Sequence, residues 1–526
     1  MQLSQPIFKK WAPEWLIRAT LFAVLLPSYM VLGLYASNAT AAAGYYGIEP
    51  ADVQFSILVY YAGLVAFFPF EPRISSYLLS RQYFLLSIFL LLLLTWLCTL
   101  VRSLPLFLLI RFVQGVVGAT VGSPCLTLIF SRLDTARARA FGYSVFYAAL
   151  LSAGPFTTAV ASLALDNFDF PAVYHLYILL QLPGAVLLVA MLNNVRLKRR
   201  IPLYQLEWPS FVLFAGTLLP LSYVVSYGQQ RYWLEDPVIR GALLLSAALG
   251  TLFVLRQRRL KRPYLNLAVL GYRNFRLGLL LFFVFYLARG TTGMATAYFV
   301  GVLRFDAWHV AALQLATLAG IALAMSVTVR FVLVNFPLRP VWLVGFGCLL
   351  AYHVWMYFLF GPGQGPGSFV GPLFVQGLGV GTLMVPITVF ALSALPATIS
   401  LSGSYTAVTV RFLGFITSLG LVNFFQLYWR TESLARFAQD VLPGTGPLTA
   451  RLQGAQQTLL GHGLPPDAAQ RAAVRLLASA LETQSQLRYS MSYYALVSIG
   501  LAVVLLLIIV LPAVQQRVLS FRQRPL

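Results

Sequence analysis

The sequence predicts an all-α polytopic membrane protein with about fourteen transmembrane helices. The first observation behind this is composition: 59% of the 526 residues are hydrophobic and only 10% are charged, with a mean hydropathy of +0.79. So few charges cannot coat a soluble body of this size. The second is that apolar runs long enough to span a bilayer recur along the chain, with basic residues gathered between them. The third is an internal repeat with a spacing of about half the chain. Together these exclude a soluble enzyme, a nucleic-acid-binding protein and a disordered scaffold, and they place the chain in a lipid bilayer. The net charge of +22 therefore reads as topology rather than as a nucleic-acid footprint.

The spans are read near 15–36, 53–70, 83–101, 104–130, 140–165, 173–193, 208–228, 237–255, 277–302, 307–329, 338–360, 367–393, 401–428 and 490–513. The first follows Lys9 and Lys10, and although a signal peptide begins in a similar way, this run is long enough to cross. Acidic residues fall between the runs, with Glu49, Asp52, Asp166, Asp169 and Asp306 at outer ends or loops and Glu71 at an inner end. The segment 429–489 is read as a large loop in which Pro465, Pro466 and Asp467 start a helix. It is either a cap or a docking surface. The three cysteines lie inside apolar runs, without metal-ligand or disulfide spacing.

An even number of spans puts both termini on one side. Loops and tails on that side hold 24 of the 37 Lys and Arg residues, and the other side holds ten, six of them in 429–489. The positive-inside rule then makes both termini cytoplasmic, in the plasma (inner) membrane, and 429–489 extracytoplasmic. The heaviest cluster, Arg256 to Arg276, joins the eighth and ninth spans.

Residues 112–124 read FVQGVVGATVGSP and residues 374–386 read FVQGLGVGTLMVP. In both, a proline follows the glycine by nine positions, and the copies are offset by 262. Duplicated bundles that face each other across an axis normal to the membrane produce such an echo, and they argue for alternating access. The expected division is a bundle over 1–200, two linker helices in 201–262 and a second bundle over 263–526. Gly115 and Gly377, with Gly118, are expected at close helix contacts, and Pro386 at the end of the second copy.

The first copy follows Arg111, so that Arg111, Gln114, Gly115, Gly118 and Gly122 fall along one helix face. Here the chain resembles the major facilitator superfamily, whose fourth span carries an R-x-x-Q-G motif. Gly154-Pro155 resembles the centre of that superfamily's antiporter motif. Tyr227-Gly-Gln-Gln-Arg-Tyr-Trp-Leu-Glu-Asp-Pro237, Arg262-Pro-Tyr-Leu-Asn-Leu267 and Tyr272-Arg-Asn-Phe275 look like the linker pair of the fourteen-span drug:proton antiporters, the EmrB/QacA type. Val410-Arg411-Phe-Leu-Gly414 resembles that family's penultimate span. The resemblance implies two six-helix bundles plus two inserted spans, no enzymatic activity, no cofactor beyond a proton gradient, and a periplasmic adaptor and outer-membrane channel as partners.

Departures from the family bear on mechanism. The aspartate of the loop after the second span is missing, and no acidic residue lies near the middle of any span. The deep charges are Arg111, Arg289 and Arg411. Arg111 reads equally as a brace and as a functional group. Arg289 with Thr292 and Thr296, and Arg411 with Ser404 and Ser418, form polar stripes expected to face a cavity, and Gln114 joins them as a candidate substrate ligand. An amphiphilic organic anion exported from the cell is the expected substrate. If protons drive export, His353 is the intramembrane titrating candidate, with Glu49, Asp52 and Asp306 as alternatives. A general multidrug:proton antiporter with a relocated proton site is the runner-up. A membrane glycosyltransferase using Asp166 or Asp169 is the reading from another class, and it needs those carboxylates enclosed.

Overall fold

The computed structural model describes residues 7–35, 38–130, 136–196, 206–334, 336–440 and 446–510. The described residues form fourteen helical spans long and apolar enough to cross a membrane, one of them divided between two helices. In chain order they are α1 (Glu14–Gly33), α3 (Pro50–Phe67), α5 (Ser80–Leu100), α6 (Leu104–Phe130), α7 (Ala136–Asn167), α8 (Pro171–Met191), α9 (Trp208–Tyr227), α10 (Pro237–Arg259), the pair α11 (Arg273–Arg289) and α12 (Thr291–Gly301), α13 (Ala307–Leu333), α14 (Leu338–Leu359), α15 (Gly367–Ser393), α16 (Ser400–Asp440) and α18 (Pro466–Val510). Three shorter helices, α2 (Ala39–Tyr46), α4 (Glu71–Tyr77) and α17 (Gly446–Gly461), complete the set. The only extended pairing among the described residues is an isolated bridge between Phe8 and Leu192.

That bridge shows how the ends of the spans are gathered. Lys9 N donates to Met191 O at 2.9 Å, and Ser80 N donates to Val195 O at 2.9 Å. The N-terminal segment, the α4–α5 connection and the exit of α8 thus meet on one face. The linker joins the same face: Arg256 pairs with Glu207 at 2.9 Å, Gln257 Nε2 donates to Ser210 Oγ at 3.0 Å, and the Tyr264 phenol donates to Ala66 O at the end of α3. Burial pushes the Tyr264 phenol well above its ordinary pKa, so it stays a donor at any physiological pH.

Helix pairings in the first set have counterparts in the second. Thus α3 packs on α6 as α13 packs on α15, α5 on α6 as α14 on α15, and α5 on α8 as α14 on α18. The two sets meet where α7 lies along α13 and α3 touches α16. The FVQG glycines explain the tightest of these pairings. A Cβ on Gly115 would fall 1.9 Å from Tyr60 O, and one on Gly377 would fall 2.2 Å from Thr317 O. The partner helices answer in kind: a Cβ on Gly63 would meet Phe112 O at 2.5 Å, and one on Gly320 would meet Phe374 O at 2.3 Å. Tyr60 and Gly63 stand to Phe112 and Gly115 as Thr317 and Gly320 stand to Phe374 and Gly377. Backbone lies against backbone in both places, which is how helices associate where no hydrophobic drive exists between them. Gly118 sits one turn further along against the Tyr60 hydroxyl. Pro124 and Pro386, the conserved ends of the repeat, lie inside α6 and α15, and each removes a backbone donor there.

Three sequence expectations change. The ninth span runs as one helix from Arg273 to Gly301 but tightens at Gly290, which separates α11, ending at Arg289, from α12, starting at Thr291. The segment 429–489 is not a loop between spans. Instead α16 runs on to Asp440, and the helix that starts at Pro466 continues without a break through the last span to Val510. The apolar window alone marks only the membrane-embedded part of each helix, so helix that leaves the bilayer cannot be bounded by hydropathy. The short helices α2 and α4 were also invisible to a span-length window.

Candidate functional site

Arg111 is fully buried in the first set of helices. Its two terminal nitrogens both donate to Val31 O of α1 at 3.3 Å, and Nη1 also donates to Gln114 Oε1 at 2.8 Å. The guanidinium lies 4.6 Å from the Tyr35 ring centroid and 4.7 Å from that of Tyr60, so the charge is held by π faces and a carbonyl rather than by a carboxylate. Gln114 in turn donates to Thr95 Oγ1 at 3.2 Å. Arg111 and Gln114 therefore tie α6 to α1 and α5. The expected place of Gln114 beside Arg289 and Arg411 is not what the structure shows.

Those two arginines do come together with residues of the first set, at the seam between the two sets. The half-buried Arg289, the last residue of α11, reaches across to α7, where Nη2 donates to Leu151 O at 3.3 Å. Gly154 of α7 lies beside the same nitrogen, which a Cβ there would approach to 3.8 Å, ordinary van der Waals contact. Arg411 is 7% exposed. Its Nε donates to Ala407 O at 3.2 Å, and its guanidinium carbon stands 5.1 Å from the Phe282 ring and 5.8 Å from the Tyr147 ring. The phenols around it are Tyr147, Tyr286 and Tyr61, with Tyr29 from α1. Among the described residues neither guanidinium forms an ion pair. The site thus offers two fixed positive charges, hydroxyls and aromatic faces drawn from both halves.

The threonine and serine stripes turn elsewhere. Thr292 accepts from Gln376 Nε2 at 3.0 Å, and Thr296 accepts from Gln314 Nε2 at 3.4 Å, so both face α15 and α13. Gln376, the glutamine of the second FVQG copy, braces the second set much as Gln114 braces the first. Ser404 bonds only along its own helix, to Ser400 O at 3.4 Å, and Ser418 bonds Tyr493 at 2.7 Å.

Of the titratable candidates, His353 is fully enclosed. Its Nδ1 lies 2.7 Å from Leu349 O and its Nε2 3.2 Å from Thr291 Oγ1. Glu49 and Asp52 form a capping box at the start of α3, and Asp52 also accepts from the Tyr227 phenol. Asp306 is exposed at the N-cap of α13, where the His309 backbone N–H holds its carboxyl below the usual range. Asp166, in the last turn of α7, and Asp169, just beyond it, are both exposed, which is the arrangement transport allows and carboxylate catalysis does not.

Sequence reading missed two kinds of residue. The tyrosines around Arg411 gave no signal beyond ordinary aromatic content, because residues on four different helices meet only in the folded chain. Glu71 was placed at a span end, yet it is wholly buried and accepts a hydrogen bond from Ser123 Oγ at 2.5 Å. A buried carboxylate therefore exists here, outside the spans. Its position after the second span, where the family carries its acidic loop, was the available signal.

Residues 21–420 match the family model described as Major Facilitator Superfamily. A relative, the colistin resistance protein EmrB of Acinetobacter baumannii, is 22% identical over 76% of this chain and 78% of its own. Among solved structures, a POT family transporter in complex with 5-aminolevulinic acid superposes with a TM-score of 0.58 at 14% identity, covering 95% of this chain and 96% of its own. The human organic anion transporter TETRAN does so with a TM-score of 0.51 at 14% identity, covering 94% and 100%. With fourteen membrane-crossing helices, paired packing in two sets and a family match over most of its length, this chain belongs to the Major Facilitator Superfamily and is a multi-pass membrane transporter of small molecules, not an enzyme.

Proposed function

We propose that this transporter exports amphiphilic organic anions by alternating access of two bundles, 1–200 and 263–526, with 201–262 as the linker pair. The observation that carries this reading is the inter-bundle site of Arg289 and Arg411, with tyrosines and, among the described residues, no carboxylate paired with either arginine. A guanidinium fork grips a carboxylate, sulfonate or phosphate head with two parallel hydrogen bonds. Aromatic walls accept an apolar body. A cation in the same place would meet two fixed like charges in a low-dielectric seam. Export is supported by the likeness to EmrB, whose name refers to colistin resistance.

Three pyrene dyes with one apolar body test the reading: pyrenebutyrate, pyrenebutanol and pyrenebutyl-trimethylammonium. Proteoliposomes are expected to transport the anion fastest and the cation slowest. Preference for the cation would sink the anion assignment. It would instead favour the multidrug:proton antiporter reading, for which buried Glu71 supplies a carboxylate.

The charge bias of the loops supports an orientation with the chain ends on the cytoplasmic side of the inner membrane. A cysteine at position 259 should then label only from the cytoplasm and one at position 454 only from outside; labelling of both from one side would refute this orientation. On that orientation the parts of α16 and α18 beyond the bilayer, with α17 packed on α18, form an extracytoplasmic arm to which a periplasmic adaptor and an outer-membrane channel could be joined.

A further inference from the structure

The ninth span, Arg273–Gly301, tightens at Gly290, whose backbone stays right-handed helical (φ −62°, ψ −17°), and this break in the regular hydrogen-bond ladder is built into the packing. Gly290 N donates to both Tyr286 O at 3.2 Å and Leu287 O at 3.3 Å, a tightened last turn for α11. A Cβ on Gly290 would fall 2.0 Å from Ser418 Oγ of α16, so only glycine lets α16 approach here. Across the break, Thr291 Oγ1 donates to Ala288 O at 2.9 Å and lies 3.2 Å from His353 Nε2. Thr291 carries one hydroxyl proton for these two acceptors, while His353 itself lies within hydrogen-bonding reach of Ala288 O and the Tyr352 phenol within reach of the Thr291 hydroxyl.

The protonation of His353 decides where that proton goes. Leu349 O, 2.7 Å from Nδ1, fixes a proton on that nitrogen, so the neutral ring presents a lone pair at Nε2. The Thr291 hydroxyl then serves either Nε2 or Ala288 O, and one acceptor is left without it. When Nε2 takes a proton from water, the ring donates to Thr291 Oγ1 or to Ala288 O itself, and the hydroxyl can no longer donate to Nε2. Only an N–H bond is made, and the proton returns to water when it breaks. Ala288 precedes Arg289, whose guanidinium reaches α7.

We propose that His353 is the positioning residue through which a proton acts on transport. By way of Thr291 and the Ala288 carbonyl, it resets the break at Gly290 and with it the reach of Arg289 into the inter-bundle site. This deepens the anion-export reading and rests on it. The titratable groups that face the ring are phenols: Tyr352 beside it at 4.9 Å between centroids and Tyr494 of α18 at 5.1 Å, with Tyr493 next along that helix. On α11, Tyr286 and Arg289 flank the break, and α15, packed along α14, carries no titratable residue between Gly367 and Ser393. With no carboxylate bonded to it among the described residues, the imidazolium is tolerated only while water reaches it. Proton binding and opening of the break are therefore linked.

The test uses the three pyrene dyes in proteoliposomes, with and without a proton gradient. The wild type accumulates its preferred dye against a gradient only when protons flow the other way. His353→Gln is expected to lose that accumulation while keeping dye counterflow at equal pH. Thr291→Val should behave the same, and Thr291→Ser should behave as the wild type. The proposal is overturned if His353→Gln retains proton-driven accumulation, if Thr291→Val does so while His353→Gln loses counterflow as well, or if Glu71→Gln alone uncouples. It is also overturned by a wild type indifferent to the proton gradient with all three dyes. A wild type that accumulates the cation refutes only the anion assignment, and the His353 comparison then runs on that dye.

Discussion

Leucine at position 115 or 377 is expected to abolish transport and to lower the thermal stability of the detergent-solubilised protein. The first added atom would sit 1.9 Å or 2.2 Å from a carbonyl oxygen of the neighbouring helix. Backbone cannot rotate out of the way as a side chain can, so the helix pair must separate along its length. The loss should exceed the ~1–3 kcal/mol typical of an overpacked core. The control is Gly500→Leu, at an exposed position of α18 where an added Cβ meets nothing within 4 Å. That variant should keep wild-type melting and transport. If the Gly115 and Gly377 variants melt and transport as the control does, close helix contact is not what the repeat encodes.

The second large effect is expected at the inter-bundle site. Arg411→Gln should weaken pyrenebutyrate binding by about thirtyfold or more, since removing one partner of a buried charge contact typically costs ~2–5 kcal/mol. Pyrenebutanol should change little. Arg411→Lys should restore only part of the loss, because an ammonium keeps the charge and loses the planar fork. Arg289→Gln should act in the same direction but less strongly, being more exposed and already donating to Leu151 O. Arg411 also lies against Phe282 and Tyr147, so a bracing role would appear as an equal loss for all three dyes together with a lower melting temperature. That pattern would refute an anion site.

Arg111 shows why one residue type gives different outcomes at different depths. All three deep arginines stood out in the sequence, because a permanent charge inside an apolar run demands an explanation. Only the fold distinguishes them. Arg111 is enclosed by Val31 O, Gln114 and two tyrosine rings, whereas Arg411 stands among phenols contributed by both halves.

The sequence by itself determined the membrane setting, the number of spans, the repeat and the superfamily. These follow from local properties: the apolar length needed to cross a bilayer, the small residues needed for close approach, and motifs read in order. Tertiary structure decided what no local window contains. It showed that Thr292 and Thr296 turn toward Gln376 and Gln314 rather than toward the arginines, and that Glu71 is enclosed. It also showed that the ninth span tightens at a glycine pressed by Ser418 from α16. Helical periodicity gives a residue's angle around its own axis; which neighbour occupies that direction depends on how all the helices pack.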